Sequence, residues 1–173
     1  TLLKAMTTHH LWARFSCYPA RQFTDLDISP DGRLLLMAVK GITGRVFDID
    51  QDETLFDLEA HDSELIRASF VRGGLEIVTV SEDGHVVRWT NAGKKLGEQR
   101  LEEEIHGVVI SEDGELVVGI TEAGEAIACA LGEEDPIRLS RWDGSESTPL
   151  QEVVLGNSDA VVVARDEGGL VHV

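Results

Sequence analysis

The feature that most limits what this chain can fold into is that it repeats. Four segments share one pattern: an apolar alternating run, a tight polar turn and a second apolar run. They are "LDISPDGRLLLMAV" from Leu26, "ASFVRGGLEIVTV" from Ala68, "VVISEDGELVVGI" from Val108 and "VVLGNSDAVVVAR" from Val153. Laid over one another, their turns bring Gly32, Gly74, Gly114 and Asp159 into register, roughly 40 residues apart. A second set of turns follows at Gly44, Gly84, Gly124 and the Gly168-Gly169 pair. Within each unit apolar and polar residues alternate with a period of two, as in "RVFDI" and "HVVRW", the spacing of a strand. Asp31-Gly32, Asp83-Gly84 and Asp113-Gly114 suit hairpins, because glycine takes positive φ without strain. No stretch carries a capped helical period, and only Thr1 to His10 is ambiguous.

Each unit therefore reads as four antiparallel strands in about 40–45 residues, the pattern of one blade of a β-propeller. The fold class is all-β. A lone blade leaves two apolar faces bare, so blades must stack. The expected organisation is an N-terminal extension over 1–10 and an outer strand over 11–17. Repeats follow over about 23–60, 61–102, 103–142 and 149–173. Seven blades of this length need about 280 residues, so a chain of 173 reads as about four blades, part of a larger ring. Another polypeptide or the rest of a cut precursor supplies the missing blades, or two copies pair into an eight-bladed ring. Solitary closure of four blades, as in hemopexin-like propellers, is the remaining solution.

Repeat two, "AHDSELIRASFVRGGLEIVTVSEDGHVVRWT" (Ala60 to Thr90), resembles a WD40 repeat. His61 precedes the first strand, Thr79 lies in the second, Asp83 in the next turn and Trp89 in the third strand. In that family these positions form a buried hydrogen-bonded tetrad of Trp, Ser/Thr, His and Asp. The chemistry suits such a chain: an indole N–H only donates, a hydroxyl and a neutral imidazole do both, and a carboxylate closes it. The other repeats depart from the pattern. At the Trp position repeat one has Ile49, repeat three Cys129 and repeat four Val173, and the closing Asp is kept only as Asp50. The resemblance implies a structural role for His61, Thr79, Asp83 and Trp89 rather than a catalytic one.

Hydrophobic residues make up 42% of the chain, enough for a packed core. Apolar runs such as "LLLMAV" are far shorter than the about 20 residues of a membrane span. Asp and Glu total 32 against 15 Lys and Arg, a net charge of −17. A field of that sign repels phosphate backbones and anionic lipid, so neither nucleic acid nor a membrane surface is expected as partner, and a basic protein is favoured. Cys17 and Cys129 have no metal or redox spacing and read as buried thiols of a reducing, cytoplasmic compartment. No cofactor is expected. "DIDQDE" lacks the central Gly and closing Glu of a calcium loop, and the glycine turns precede no helix that would aim at a phosphate.

Three functions are open at this level. A non-catalytic protein-interaction scaffold is favoured, since propeller rims are loops held by rigid blades. On the rim before each first strand it would use Tyr18, Arg21, Asp62, Glu64, His106, Arg141 and Trp142, with Trp142 as the aromatic anchor. Acidic residues fall on both rims, so charge alone selects neither. A regulatory segment of a larger sensor is the alternative, by likeness to propellers at the ends of bacterial signalling ATPases or proteases. An enzyme is disfavoured because the innermost strands offer only scattered groups such as Asp27 and Arg67.

Overall fold

The computed structural model describes residues 23–39, 41–101, 103–131, 137–138, 150–155, 162–166 and 171–172. The extension over 1–10, the outer strand over 11–17, and Cys17 lie outside the described residues. Blade 1 is β1 (Phe23–Ile28), β2 (Leu34–Val39), β3 (Thr43–Asp48) and β4 (Glu53–Glu59). Blade 2 is β5 (Leu65–Val71), β6 (Glu76–Ser81), β7 (His85–Thr90) and β8 (Lys95–Arg100). Blade 3 is β9 (Ile105–Ile110), β10 (Leu116–Thr121), β11 (Ala126–Ala130) and β12 (Ile137–Arg138). Blade 4 is β13 (Leu150–Leu155), β14 (Val162–Asp166) and β15 (Val171–His172). Each blade is an antiparallel meander in which successive strands are neighbours. Among the described residues the one helical element is a 3-10 turn at Arg72–Gly74, and no helix of them is long and apolar enough to cross a membrane.

The near-continuous apolar runs of the middle strands follow from stacking. Alternate residues of a strand face opposite ways, and blades 2 and 3 are buried on both faces. In β6, Ile77 joins a core with Leu36, Ala38, Val46 and Leu58 of blade 1. Val78 and Val80, one residue out of phase, join a core with Val117, Ile127 and Cys129 of blade 3. Val118, Ile120, Ala126 and Ala128 then pack on Val153 of blade 4. Innermost strands pack in sequence, β1 on β5, β5 on β9 and β9 on β13, and no comparable packing joins β13 to β1 among the described strands. The described strands follow one another along an arc.

Three devices recur along the arc. Every innermost strand starts with a bulge at the same register, at Phe23/Asp25, Leu65/Arg67, Ile105/Gly107 and Leu150/Glu152; such bulges sharpen the local twist. A Ser-x-Asp-Gly turn appears at Ser29, Ser81 and Ser111, where the serine hydroxyl donates to the aspartate at 2.6 Å each time. That bond to Ser29 and Ser111, with the amides of Arg33 and Glu115 behind it, holds Asp31 and Asp113 below the usual carboxylate range. Blades are also stitched by backbone: the first residues of β5, β9 and β13 donate to Gly41 O (2.9 Å), Glu82 O (2.8 Å) and Gly124 O (3.1 Å) in the turns of the preceding blade. Gly84 makes that approach possible. Its φ is +72°, and a Cβ there would lie 2.5 Å from the Glu103 carbonyl oxygen, so no L-residue with a side chain fits.

Candidate functional site

Blade 2 turns a polar face toward blade 1. His61 comes from the loop after β4, Thr79 and Ser81 from β6, Asp83 from the β6–β7 turn and Trp89 from β7. The Trp89 Nε1–H donates to Thr79 Oγ1 at 2.9 Å, and Thr79 Oγ1 lies 2.7 Å from His61 Nε2. His61 Nδ1 lies 3.0 Å from Ser81 Oγ, which donates to Asp83 Oδ1 at 2.6 Å. Arg100 Nη1 donates to Asp83 Oδ2 at 2.8 Å.

The ends of this chain fix its direction. An indole only donates and a carboxylate only accepts. Ser81 gives its proton to Asp83, so it accepts from His61, whose Nδ1 carries the hydrogen. His61 Nε2 is then the acceptor and takes the Thr79 hydroxyl, which itself accepts from Trp89. Every buried polar atom in the chain is satisfied only when His61 is neutral. Burial, and then the neighbouring His85, push the His61 pKa down from 6.5 to about 4. Burial works to raise the Asp83 carboxyl, but Ser81, Arg100 and the His85 amide outweigh it and hold it below its ordinary value.

This arrangement is a structural latch. In a serine hydrolase the serine gives its proton to the histidine; here Ser81 faces Asp83, and the imidazole is committed at both nitrogens. The structure thus brings together His61, Thr79, Asp83 and Trp89, but routes the link between His61 and Asp83 through Ser81. It adds a second imidazole, too. His85 is buried, its ring centroid 5.0 Å from that of His61 in a T-shaped contact. His85 Nε2 lies 2.8 Å from Glu98 Oε2, an oxygen also held by Lys95 at 2.7 Å. The Lys95 and His85 bonds lower the Glu98 pKa.

Registers locate the same positions elsewhere and correct one of them. Cys129 pairs with Val117 as Trp89 pairs with Ile77. In blade 1 that place belongs to Phe47, opposite Leu35, and not to Ile49, which falls beyond β3. Asp48, and not Asp50, is then the residue after it, and its carboxylate accepts the amides of Asp50 and Gln51 at 2.9 Å each.

Of the rim residues, Tyr18, Arg21, Arg141 and Trp142 lie outside the described residues. Asp62 is exposed and Glu64 half-buried in the β4–β5 loop, and His106 is exposed on β9. The same rim carries Glu82, Asp83, Glu103, Glu104, Glu122 and Glu125, and its described loops and turns hold no Lys or Arg. The nearest cation among the described residues, Arg100 at the end of β8, is bonded to Asp83. The opposite rim is compensated only in part: Arg33 pairs with Asp50 at 3.7 Å, and Arg72 with Glu76 at 3.6 Å and with Glu115. Among the described residues the two rims thus differ in charge, with Arg33 and Arg72 on the opposite one. Toward the centre, Asp25 and Asp27 of β1 accept the amides of Ala68 (2.9 Å) and Phe70 (2.7 Å) of β5, and Arg67 lies 3.6 Å from Asp25. Among the described residues no group of three or more His, Cys, Asp or Glu is placed to hold a metal.

No family model and no curated protein sequence matches the chain. Among solved structures it is similar to the β-propeller domain of Myceliophteria thermophila Cps50 (Swd1), with a TM-score of 0.70 and 13% identity. The likeness covers 86% of this chain and 51% of that one, so the chain spans about half the length of that structure. Together with the antiparallel four-stranded blades, this likeness gives the chain the fold of a WD40-type β-propeller.

Proposed function

We propose that the chain is a non-catalytic protein-interaction module: an arc of a larger propeller, completed by further blades, whose acidic rim receives a Lys/Arg-rich segment of another protein. The observation that carries this reading is the run of exposed acids on that rim. Asp62, Glu82, Glu104 and Glu122 are exposed there on turns fixed by the backbone bonds between blades. A rigid surface of one charge sign steers and orients an oppositely charged partner at little ordering cost. The polar groups that resemble catalytic ones are used up. His61, Ser81 and Asp83 saturate one another, and Asp27 holds backbone amides.

The test is fluorescence anisotropy with a labelled Lys/Arg-rich peptide and a Glu-substituted control. The basic peptide binds, and affinity falls about tenfold or more between 50 and 300 mM NaCl, where the screening length shrinks from about 14 to about 6 Å. Asp62→Lys combined with Glu82→Lys abolishes binding, whereas Asp50→Lys on the opposite rim leaves it in place. Equal binding of both peptides, or equal effects of the two rims, contradicts the reading.

A further inference from the structure

We infer that the inner side of the junction between blades 2 and 3 binds a small dicarboxylate, which does there what Asp25 and Asp27 do between blades 1 and 2. The site lies on innermost strands, apart from the acidic rim, and does not depend on what binds that rim.

An innermost strand has a neighbour in its own sheet on one side only. Alternate amides along it point to that neighbour, and the others point inward, away from the sheet. In β5 the inward amides include those of Ala68 and Phe70, and each has an acceptor. The Asp25 carboxylate takes the first at 2.9 Å and the Asp27 carboxylate the second at 2.7 Å, both from β1 of the preceding blade. In β9 the same places belong to Val108 and Ile110, since Val108 lies opposite Gly119 as Ala68 lies opposite Thr79. The Ser111 amide donates across its sheet to Leu116 O at 2.9 Å, so the Ile110 and Val108 amides face the other way, inward.

Register also gives the side chains that stand beside those amides. Arg67 and Ser69 of β5, opposite Val80 and Val78, hold the places of Asp25 and Asp27, opposite Ala38 and Leu36. Where blade 1 offers blade 2 two acceptors, blade 2 offers blade 3 a guanidinium and a hydroxyl. Arg67 Nε is buried and makes no hydrogen bond, its contact with Asp25 being 3.6 Å long. Among the described residues no acceptor pairs with the Ser69 hydroxyl or with the inward amides of Val108 and Ile110. Donors therefore face donors, and a ligand that supplies acceptors relieves them. At the next junction the same places are Gly107 and Val109, which bring no charge, so the Arg67 cation fixes the site between blades 2 and 3.

The donor set defines the ligand. A guanidinium and two amides only donate, so the ligand presents acceptors, and the charge of Arg67 selects an anion. Amides two residues apart on one strand point the same way and lie about 7 Å apart, wider than the oxygens of a single carboxylate or phosphate. Two carboxylates on a short aliphatic spacer match that separation. One lies between Arg67 and the Val108 amide, the other between the Ser69 hydroxyl and the Ile110 amide. The molecule holds its own precedent, because Asp25 and Asp27 set two carboxylates on the amides of Ala68 and Phe70 at this same spacing. The Arg67 side chain is 43% exposed and Ser69 half-buried, so a small molecule can reach both. The net charge of −17 opposes any anion, so these local donors, and not the long-range field, carry the binding.

Calorimetric titration of the full chain with glutarate, against butyrate and inorganic phosphate, tests the assignment. Glutarate binds at one site per chain, about tenfold or more tighter than either control. In ¹⁵N–¹H spectra the amide signals of Val108 and Ile110 move with added glutarate, while those of Ala68 and Phe70, already capped, stay in place. Arg67→Gln weakens glutarate about tenfold or more. Ser69→Asp gives β5 the carboxylate that Asp27 supplies in β1; it abolishes glutarate binding and raises the thermal midpoint, because the Ile110 amide then has an internal acceptor. Circular dichroism of both variants keeps a folding failure separate from lost binding. No binding of glutarate, equal affinity for butyrate or phosphate, shifts confined to the neighbourhood of Arg33 and Arg72, or a folded Ser69→Asp chain that still binds glutarate overturns the inference. Binding of the basic peptide at the rim is unchanged in both variants, so the two sites fail or stand separately.

Discussion

Blades 2 and 3 have the same strand order, the same bulge and nearly the same register, yet opposite interiors. Where blade 2 has His61, Thr79, Ser81, Asp83 and Trp89, blade 3 has Leu101, Gly119, Thr121, Ala123 and Cys129. In blade 2 a hydroxyl meets an imidazole at 2.7 Å. In blade 3 the Leu101 side chain fills the space over Gly119, whose added Cβ would lie 3.1 Å from Leu101 Cδ1. Cys129 is fully buried, and burial raises its pKa to about 11, so it packs as a small neutral group. The lesson is that alternation and turns build a blade, while the polar latch is one of two ways to fill it. A latch adds direction and a requirement: every member must be present, because a half-satisfied buried network is worse than an apolar one.

The largest break in this comparison comes at the Trp position. Trp89→Ala should destabilise the chain by about 3–5 kcal/mol, through the cavity and the lost donor, whereas Cys129→Ala costs about 1 kcal/mol by its smaller volume. Trp89→Phe isolates the N–H and should cost about 1–2 kcal/mol. Urea denaturation followed at a common wavelength checks all three, and similar losses for Trp89→Ala and Cys129→Ala would dissolve the distinction between the blades.

A sharper test grafts blade 3 chemistry into blade 2. His61→Leu alone takes the acceptor from the Thr79 hydroxyl and the donor from Ser81, and Thr79→Gly alone strands His61 Nε2; each should cost about 2–3 kcal/mol. The pair reproduces Leu101 over Gly119 and should cost less than the sum by on the order of 1 kcal/mol in a double-mutant cycle. Strict additivity would mean that the two side chains do not act together.

The smallest effect is a pH dependence confined to blade 2. His61 has a folded pKa below its ordinary 6.5, at about 4, so the unfolded chain binds more protons between these values. Stability from this group is complete above pH 6.5 and is lost as pH falls toward 4. Below that, protonation of Asp31, Asp48, Asp83, Glu98 and Asp113, all held low in the fold, removes more. Hydrogen exchange should show β6 and β7 losing protection at pH 5 before β10 and β11, and His61→Leu should remove that difference. Parallel loss in both blades would place the sensitivity elsewhere.

Much of this fold is legible in the sequence because its causes are local. Period-two alternation, Asp-Gly turns and the spacing of units report strands, hairpins and blades directly. The latch residues are legible in repeat two for the same reason, since each sits at a fixed offset from the Asp83 turn. What stays hidden depends on where similar pieces land. Ser81 looks like Ser29 and Ser111, and only its place at the end of β6, within reach of His61, puts it in the chain. Phe47 is masked by Ile49-Asp50, because a hydrophobic-Asp pair recurs two residues apart and register alone decides between them. The bulges carry no residue signature. The charge difference between rims is invisible in a linear count, because it depends on which acids Arg33 and Arg72 reach across the fold.

The latch stands or falls on the state of one imidazole, which ¹⁵N NMR titration of His61 reads directly. The hydrogen-bond chain from Trp89 to Asp83 requires the neutral Nδ1–H tautomer at pH 7 and a titration midpoint near 4. An Nε2–H tautomer, or a midpoint at the ordinary 6.5, would mean that His61 is not the centre of the latch.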